Sequence, residues 1–123
     1  MKYMLMFVQK DGDAWQKLTP GDQNMQAIGR WIGEHAQAGR LVGGNQLQPR
    51  RTATTIKWRD DQPVVTDGPF LESKETIGGY GIFEVPDLDT AIAIAKSWPE
   101  HGHHVVEIRP IVENPMRDPR LPG

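Results

Sequence analysis

The sequence contains no cysteine, which excludes a disulfide framework, a thiolate nucleophile and a thiolate metal site. It also lacks an excess of charge of either sign, because 14 basic and 16 acidic residues leave a net charge of −2. No long basic stripe could neutralise a phosphate backbone, so we expect no nucleic-acid partner. The apolar run Met1–Val8 is too short for a membrane span or a secretory signal. We therefore expect no membrane partner and a cytoplasmic location.

The first predicted strand, Met1–Val8, is apolar on both faces, so both faces need cover. A helix is predicted to begin at Thr19–Asp22 and to end at Gly39. Its expected apolar stripe consists of Met25, Ile28, Ile32 and Ala36. A second strand is predicted to start at Leu41 and run towards Leu47.

The remaining chain predicts a hairpin followed by a second strand, helix and strand. Thr52–Arg59 and Pro63–Thr66 read as the two hairpin strands, joined at Asp60-Asp61-Gln62. Asp87 is the expected N-cap of the second helix, striped by Leu88, Ala91, Ile92 and Ala95. Strands are expected at Tyr80–Val85 and Val105–Ile111.

This element order predicts an α+β, ferredoxin-like split βαβ fold with an antiparallel sheet and an inserted β-hairpin. Residues 1–113 form the expected single domain, and residues 114–123 an irregular proline-rich tail. The two helices can cover one face of the sheet, so we expect the other face to meet a second copy in a homodimer. The alternative is that the loop after the hairpin and the tail cover that face within one chain.

A longer motif follows the hairpin. Asp67-Gly68-Pro69-Phe70, Glu72, Lys74-Glu75 and Gly78-Gly79-Tyr80 together resemble the signature of DGPF-motif proteins in the YCII-related family. The resemblance covers nearly the whole chain and implies a dimeric α+β barrel. The resemblance also implies that some relatives are suspected enzymes with a His and Asp pair. Others are linked to extracytoplasmic-function sigma factors.

Two residues are the candidate catalytic pair. Asp67 lies in the motif and His35 lies on the first helix, where an imidazole can exchange a proton near neutral pH. The alternatives are that Asp67 fixes a turn and that His35 is a half-exposed helix residue. The predicted ligand-binding residues are Arg51, Glu72, Lys74 and Tyr80. The Arg51 guanidinium can bind a carboxylate or phosphate. The alternative is that the charged side chains of this set belong to a solvated surface.

His101, His103 and His104 crowd one loop, but their spacing matches no standard metal site. We therefore expect neither a metal nor a cofactor. Two functions stay open at this point. One is a cofactor-free enzyme that binds a small polar ligand in a cleft at the sheet or dimer interface and uses acid–base chemistry. The other is a non-catalytic regulatory or protein-binding module linked to a sigma factor.

Overall fold

The computed structural model describes residues 1–9, 23–68 and 76–113. The predicted helix start Thr19–Asp22 and the tail 114–123 lie outside these residues. Within the described ranges the elements are, in chain order, β1 Lys2–Gln9, α1 Gln23–Gln37, β2 Leu41–Gln46, β3 Thr54–Arg59, β4 Gln62–Asp67, β5 Thr76–Glu84, α2 Leu88–Lys96 and β6 His104–Pro110. None of the helices in this part of the chain is long and apolar enough to cross a membrane.

Four strands form one antiparallel sheet in the order β2-β5-β1-β6, with β1 and β5 in the interior. Each helix connects two strands of this sheet that are not neighbours, which is the split βαβ arrangement. The predicted α+β, ferredoxin-like fold is therefore confirmed. The inserted hairpin, β3 with β4, forms a separate two-stranded sheet.

The core lies between the two helices and one face of the sheet. Alternation along β1 buries Tyr3, Leu5 and Phe7 on this face. The Phe7 ring stacks on Trp98 with ring centroids 4.0 Å apart and meets the edge of Trp31 at 6.1 Å. Aromatic side chains thus supply much of the buried apolar area between the layers.

Both predicted helix stripes need correction. In α1, Ile28, Trp31 and His35 are buried, whereas Ile32 is 43% exposed and Ala36 is exposed. The buried face is rotated because the large Trp31 ring, one position before Ile32, fills the space against the sheet. In α2, Ala91 and Ile94 are buried and Leu88 is exposed.

The helix ends follow the sequence prediction where they are described. Gly39 has φ of +76°, a conformation that glycine adopts without a Cβ clash, and it follows the last turn of α1. Asp87 caps α2, where its Oδ1 accepts hydrogen bonds from the backbone N–H and the hydroxyl of Thr90. Both bonds lower the pKa of the Asp87 carboxyl because they stabilise its charged form. The bond from the Thr90 hydroxyl has the larger effect.

The opposite face of the sheet, here called the open face, is also largely apolar. It carries Met4, Met6 and Val8 of β1, Ile77, Tyr80 and Ile82 of β5, and Val105 of β6. Ile77 and Val105 are 45% and 48% exposed. Both helices pack on the other side, so no described helix covers this face. The homodimer predicted from this face stays a prediction.

The β3–β4 hairpin pairs Arg59 with Gln62 and closes through the two-residue turn Asp60-Asp61. These two residues have φ of +50° and +64°, the left-handed values of a hairpin turn whose twist matches the strands. The predicted hairpin is confirmed, with the correction that Gln62, predicted in the turn, is the first residue of β4. Unlike β1, β5 and β6 of the main sheet, neither hairpin strand contains a buried residue.

Candidate functional site

An apolar cleft lies between α1 and the β2–β5 side of the sheet, with a cavity volume of about 140 Å³. We call it the α1–β2 cleft. Its lining residues are Phe7, Met25, Ile28, Trp31, Ile32, Leu41, Gly43, Gly44, Asn45, Gln46, Gly79, Tyr80, Gly81 and Trp98.

Glycines leave the space that forms the floor of the cleft. Gly44 of β2 pairs with Gly81 of β5, and Gln46 pairs with Gly79, all on the face that the helices cover. These glycines carry no side chain that could reach α1. A Cβ added to Gly81 would lie 2.8 Å from Cε2 of Phe83. The missing side chains leave space between α1 and the sheet, which the cleft occupies.

Two tryptophan rings form the inner wall, and their polar atoms point away from the cleft. Trp31 Nε1 donates a hydrogen bond to Ser97 Oγ over 2.8 Å. Trp98 Nε1 donates to His104 Nδ1 over 3.0 Å. Because both indole N–H groups have partners elsewhere, the rings present carbon atoms to the cleft and are held in fixed orientations.

His104 supports this wall from behind. Its ring is stacked on Trp98, with centroids 5.9 Å apart, and the residue is 3% exposed. Burial, with a smaller effect of neighbouring His103, lowers the pKa of His104 to about 4. The imidazole is therefore neutral near pH 7, which leaves Nδ1 able to accept the Trp98 hydrogen bond.

His35 is buried rather than half-exposed, and it belongs to the aromatic core. Its ring meets Trp31 at 4.6 Å and Phe83 at 5.8 Å. Arg40 Nε donates a hydrogen bond to His35 Nδ1 over 3.0 Å. Burial and then the Arg40 charge lower the pKa of His35, against a raising effect of Glu34. His35 is thus neutral, lies behind a wall of the cleft, and has its Nδ1 lone pair engaged.

Asp67 lies elsewhere, as the exposed last residue of β4. The next residue, Gly68, has φ of +110°, donates its N–H to the Ala53 carbonyl over 2.7 Å and accepts from Thr55 Oγ1 over 2.6 Å. Within the described ranges no hydrogen bond or ion pair joins Asp67 to His35. A His35–Asp67 catalytic pair stays a prediction that this geometry does not favour.

The four predicted ligand-binding residues are dispersed. Arg51 is exposed in the short 3-10 turn Arg50–Thr52 before the hairpin. Glu72 and Lys74 lie outside the described residues. Tyr80 is among the residues of the cleft, but it pairs with Met6, which places its side chain on the open face. There its hydroxyl accepts a 3.4 Å hydrogen bond from Asn45 Nδ2.

The histidine loop does not form a cluster. His101 and His103 are exposed, whereas His104 points into the core behind Trp98. His103 Nε2 lies 3.9 Å from Oε2 of the buried Glu100. Among the described residues no group of three or more histidine and carboxylate side chains could hold a metal ion.

Of the residues that line the cleft, the sequence predicted only Tyr80 as ligand-binding. Trp31 and Trp98 are buried in the core and also line the cleft, so core and cleft wall share these residues. The available signal was the pair of glycine-rich strands, Gly43-Gly44 and Gly78-Gly79-Tyr80-Gly81. Facing glycines in neighbouring strands predict a missing layer of side chains, but only if the strand register is known.

Comparison with known proteins places this geometry in a family. A family model described as the YCII-related domain matches residues 1–115. The chain belongs to the YCII-related family. A curated relative of this YCII-related chain, an uncharacterized protein of Rhizobium meliloti strain 1021, is 28% identical over 102 residues, which cover 80% of each chain.

A solved structure shares the fold at low identity. It is the 5-chloro-2-hydroxyhydroquinone dehydrochlorinase of Burkholderia phenoliruptrix AC1100, in complex with 2,5-dihydroxybenzoquinone. The TM-score is 0.56 at 12% identity, and the match covers 96% of this chain and 100% of that one. At this identity the likeness supports the fold and not a shared reaction.

Proposed function

We propose that this YCII-related chain binds a small, planar, mostly apolar ring compound in the α1–β2 cleft. The observation that carries the proposal is the pairing of a glycine floor with walls of fixed tryptophan rings. Flat aromatic surfaces favour a planar ligand that can stack or make edge contacts. The apolar lining argues for a less polar ligand than the sequence alone suggested.

The volume of the cleft matches a single ring. An apolar cavity of about 150 Å³ is known to hold benzene, and the α1–β2 cleft has about 140 Å³. Gln46 is the polar side chain on the same face of β2, and it can bond to a hydroxyl or carbonyl substituent. The quinone bound by the dehydrochlorinase is a compound of this class, which supports the choice of phenols and hydroquinones as probes.

The test is a titration with phenol and hydroquinone, followed by the thermal midpoint and by NMR shifts of the indole N–H groups. We expect a concentration-dependent rise of the midpoint, because a ligand bound only by the folded state stabilises it. Ile32→Phe, at the cleft, should weaken binding at least tenfold, whereas Leu88→Phe on α2 should not. The two positions are matched, at 43% and 46% exposure. Equal binding by both variants, or no binding at all, would refute the proposal.

Acid–base catalysis is a second candidate, favoured by one contact. The neutral His35 imidazole touches Trp31, a wall of the cleft. If the chain is an enzyme, His35→Gln and Asp67→Asn should each abolish turnover of a bound ring compound while binding persists. Unchanged turnover in both variants would remove these two residues from the mechanism. The link to a sigma factor stays a prediction.

A further inference from the structure

A second cavity adjoins the α1–β2 cleft, and its lining is more polar than that of the cleft. It has a volume of about 270 Å³ and is lined by Gln46, Leu47, Gln48 and Pro49. We call it the Gln46–Pro49 pocket. Gln46 also lines the cleft, so the two cavities meet at this residue. A molecule bound in the cleft can therefore extend past Gln46 into the pocket.

Gln46 offers polar groups at the point where the two cavities meet. β2 is an edge strand of the main sheet and pairs with β5. The backbone N–H of Leu47 donates to the Gly78 carbonyl over 2.8 Å. Because hydrogen-bonded and non-hydrogen-bonded pairs alternate along antiparallel strands, the backbone N–H and C=O of Gln46 point away from β5. A polar chain on a bound ring thus meets a backbone donor as well as the Gln46 side-chain amide.

The chain next to this pocket is basic. Arg50 and Arg51 directly follow Pro49, and Arg51 is exposed to solvent. Residues 35–59 contain no aspartate or glutamate, whereas the whole chain has a net charge of −2. Positive charge of this kind attracts anions, and a guanidinium can bind both oxygens of a carboxylate at once. The basic residues of the stretch are Arg40, Arg50, Arg51, Lys57 and Arg59.

The cleft itself is unfavourable for an anion. Its inner wall is formed by the Trp31 and Trp98 rings, whose N–H groups donate to Ser97 and His104. A carboxylate buried against these rings would lose its hydration without gaining a donor from them, which costs free energy. An aromatic ligand with an anionic group should therefore keep the ring in the cleft and the charge outside it, with a short chain between the two.

We propose that the ligand of the α1–β2 cleft is an aromatic carboxylate with a short chain. Its ring lies in the cleft, and its carboxylate lies in the Gln46–Pro49 pocket and is bound by Arg51. This inference rests on the proposed function, because it needs a ring in the cleft, and it names the class of that ring compound. It also gives the exposed Arg51 the task of selecting anionic ligands.

A series of phenyl compounds tests the class of ligand. We expect phenylpropionate to bind about tenfold more tightly than the uncharged phenylpropanol, because only the former has a carboxylate for Arg51. The advantage should shrink as salt is added. Benzoate should bind more weakly than phenylpropionate, because its carboxylate would have to enter the apolar cleft. Equal affinities of phenylpropionate and phenylpropanol would overturn the inference.

Two matched variants test the role of Arg51. Arg51→Gln should weaken phenylpropionate binding about tenfold and leave phenylpropanol binding unchanged. Arg59→Gln removes the same charge at the last residue of β3, beside the hairpin turn, and should change neither affinity. Both arginines are exposed, so we expect both variants to fold, which far-UV circular dichroism checks. Unchanged phenylpropionate binding by Arg51→Gln, or an equal loss in Arg59→Gln, would refute the assignment.

Phenol separates this inference from the proposed function. Shifts of the Trp31 and Trp98 indole N–H signals by both phenol and phenylpropionate would support a ring in the cleft in each case. If phenol shifts these signals and phenylpropionate binds no more tightly than phenylpropanol, the aromatic carboxylate is refuted and the ring site stands. If none of these compounds shifts the signals or raises the thermal midpoint, both proposals fail.

Discussion

The main sheet and the β3–β4 hairpin are built from similar residues but differ in burial. Both contain alternating Val, Ile, Thr and aromatic side chains. In β1 alternate residues are buried, and Leu5 is fully so, whereas in the hairpin Trp58 is 69% exposed. Helices cover one face of the main sheet, whereas every residue of the hairpin strands is at least partly exposed in the part of the chain that the structure describes. Strand patterning thus determines a local conformation, and burial requires a partner layer.

The largest expected effect compares a core ring with a hairpin side chain. Phe83 of β5 is fully buried, and Val64, on the polar side of the hairpin, is 44% exposed. Phe83→Ala should lower the free energy of unfolding by about 3–5 kcal/mol, because it removes buried area and leaves a cavity. Val64→Ala should change it by less than about 0.5 kcal/mol. Urea unfolding at one protein concentration measures both, and similar losses would show that the hairpin shares the core.

Acid should destabilise the sheet through His104. Its pKa is about 4 in the fold and 6.5 when unfolded, so the unfolded chain binds more protons between these values. The free energy of unfolding should therefore fall as pH drops from 6.5 to 4, by on the order of 3 kcal/mol. The pKa of His35 is also lowered in the fold, so protonation of His35 at low pH should likewise reduce the free energy of unfolding.

Substitution isolates this effect. His104→Gln removes the titrating group and keeps an acceptor for Trp98, so much of the pH slope should disappear. His101→Gln, at an exposed position, should retain the slope. The hairpin strands contain no histidine, so this histidine effect does not act through the hairpin. A slope unchanged by His104→Gln would contradict the assignment.

The glycine floor can be tested by adding one methyl group. Gly81→Ala places a Cβ against the Phe83 ring, with a 2.8 Å approach before relaxation. Overpacking of this kind should cost about 1–3 kcal/mol of unfolding free energy. Gly33→Ala in α1 meets no atom within 4 Å and should instead stabilise the chain by about 0.5–1 kcal/mol. Thermal unfolding of the pair gives the sign of each effect.

The smallest expected effect is in the hairpin turn. Asp61 has φ of +64°, which strains a residue with a Cβ and suits glycine. Asp61→Gly should stabilise the hairpin by up to about 1 kcal/mol, visible as slower hydrogen exchange of hairpin amides and unchanged exchange in β1. Faster hairpin exchange would show that the Asp61 side chain contributes more than the strain costs.

The sequence predicted most of the fold from local signals. The hairpin turn followed from Asp60-Asp61 between two extended runs, and the α2 cap followed from Asp87. The stripe predicted for α1 was correct at Met25 and Ile28 and wrong at Ile32 and Ala36. A pattern that counts His35 as polar cannot show that its ring packs beside Trp31 and Phe83. Helix periodicity fixes which residues share a face, but neighbouring elements decide how that face is turned.

The cleft could not be predicted in the same way. Gly44 and Gly81 are far apart in the chain and become opposite only when β2 pairs with β5 in one register. The sequence by itself determined the element order, the hairpin, the helix ends at Gly39 and Asp87, and the family. Tertiary structure decided where side chains are missing and which apolar side chains of the described residues are exposed. Local propensities act over a few residues, whereas cavities and uncovered faces result from contacts between distant segments.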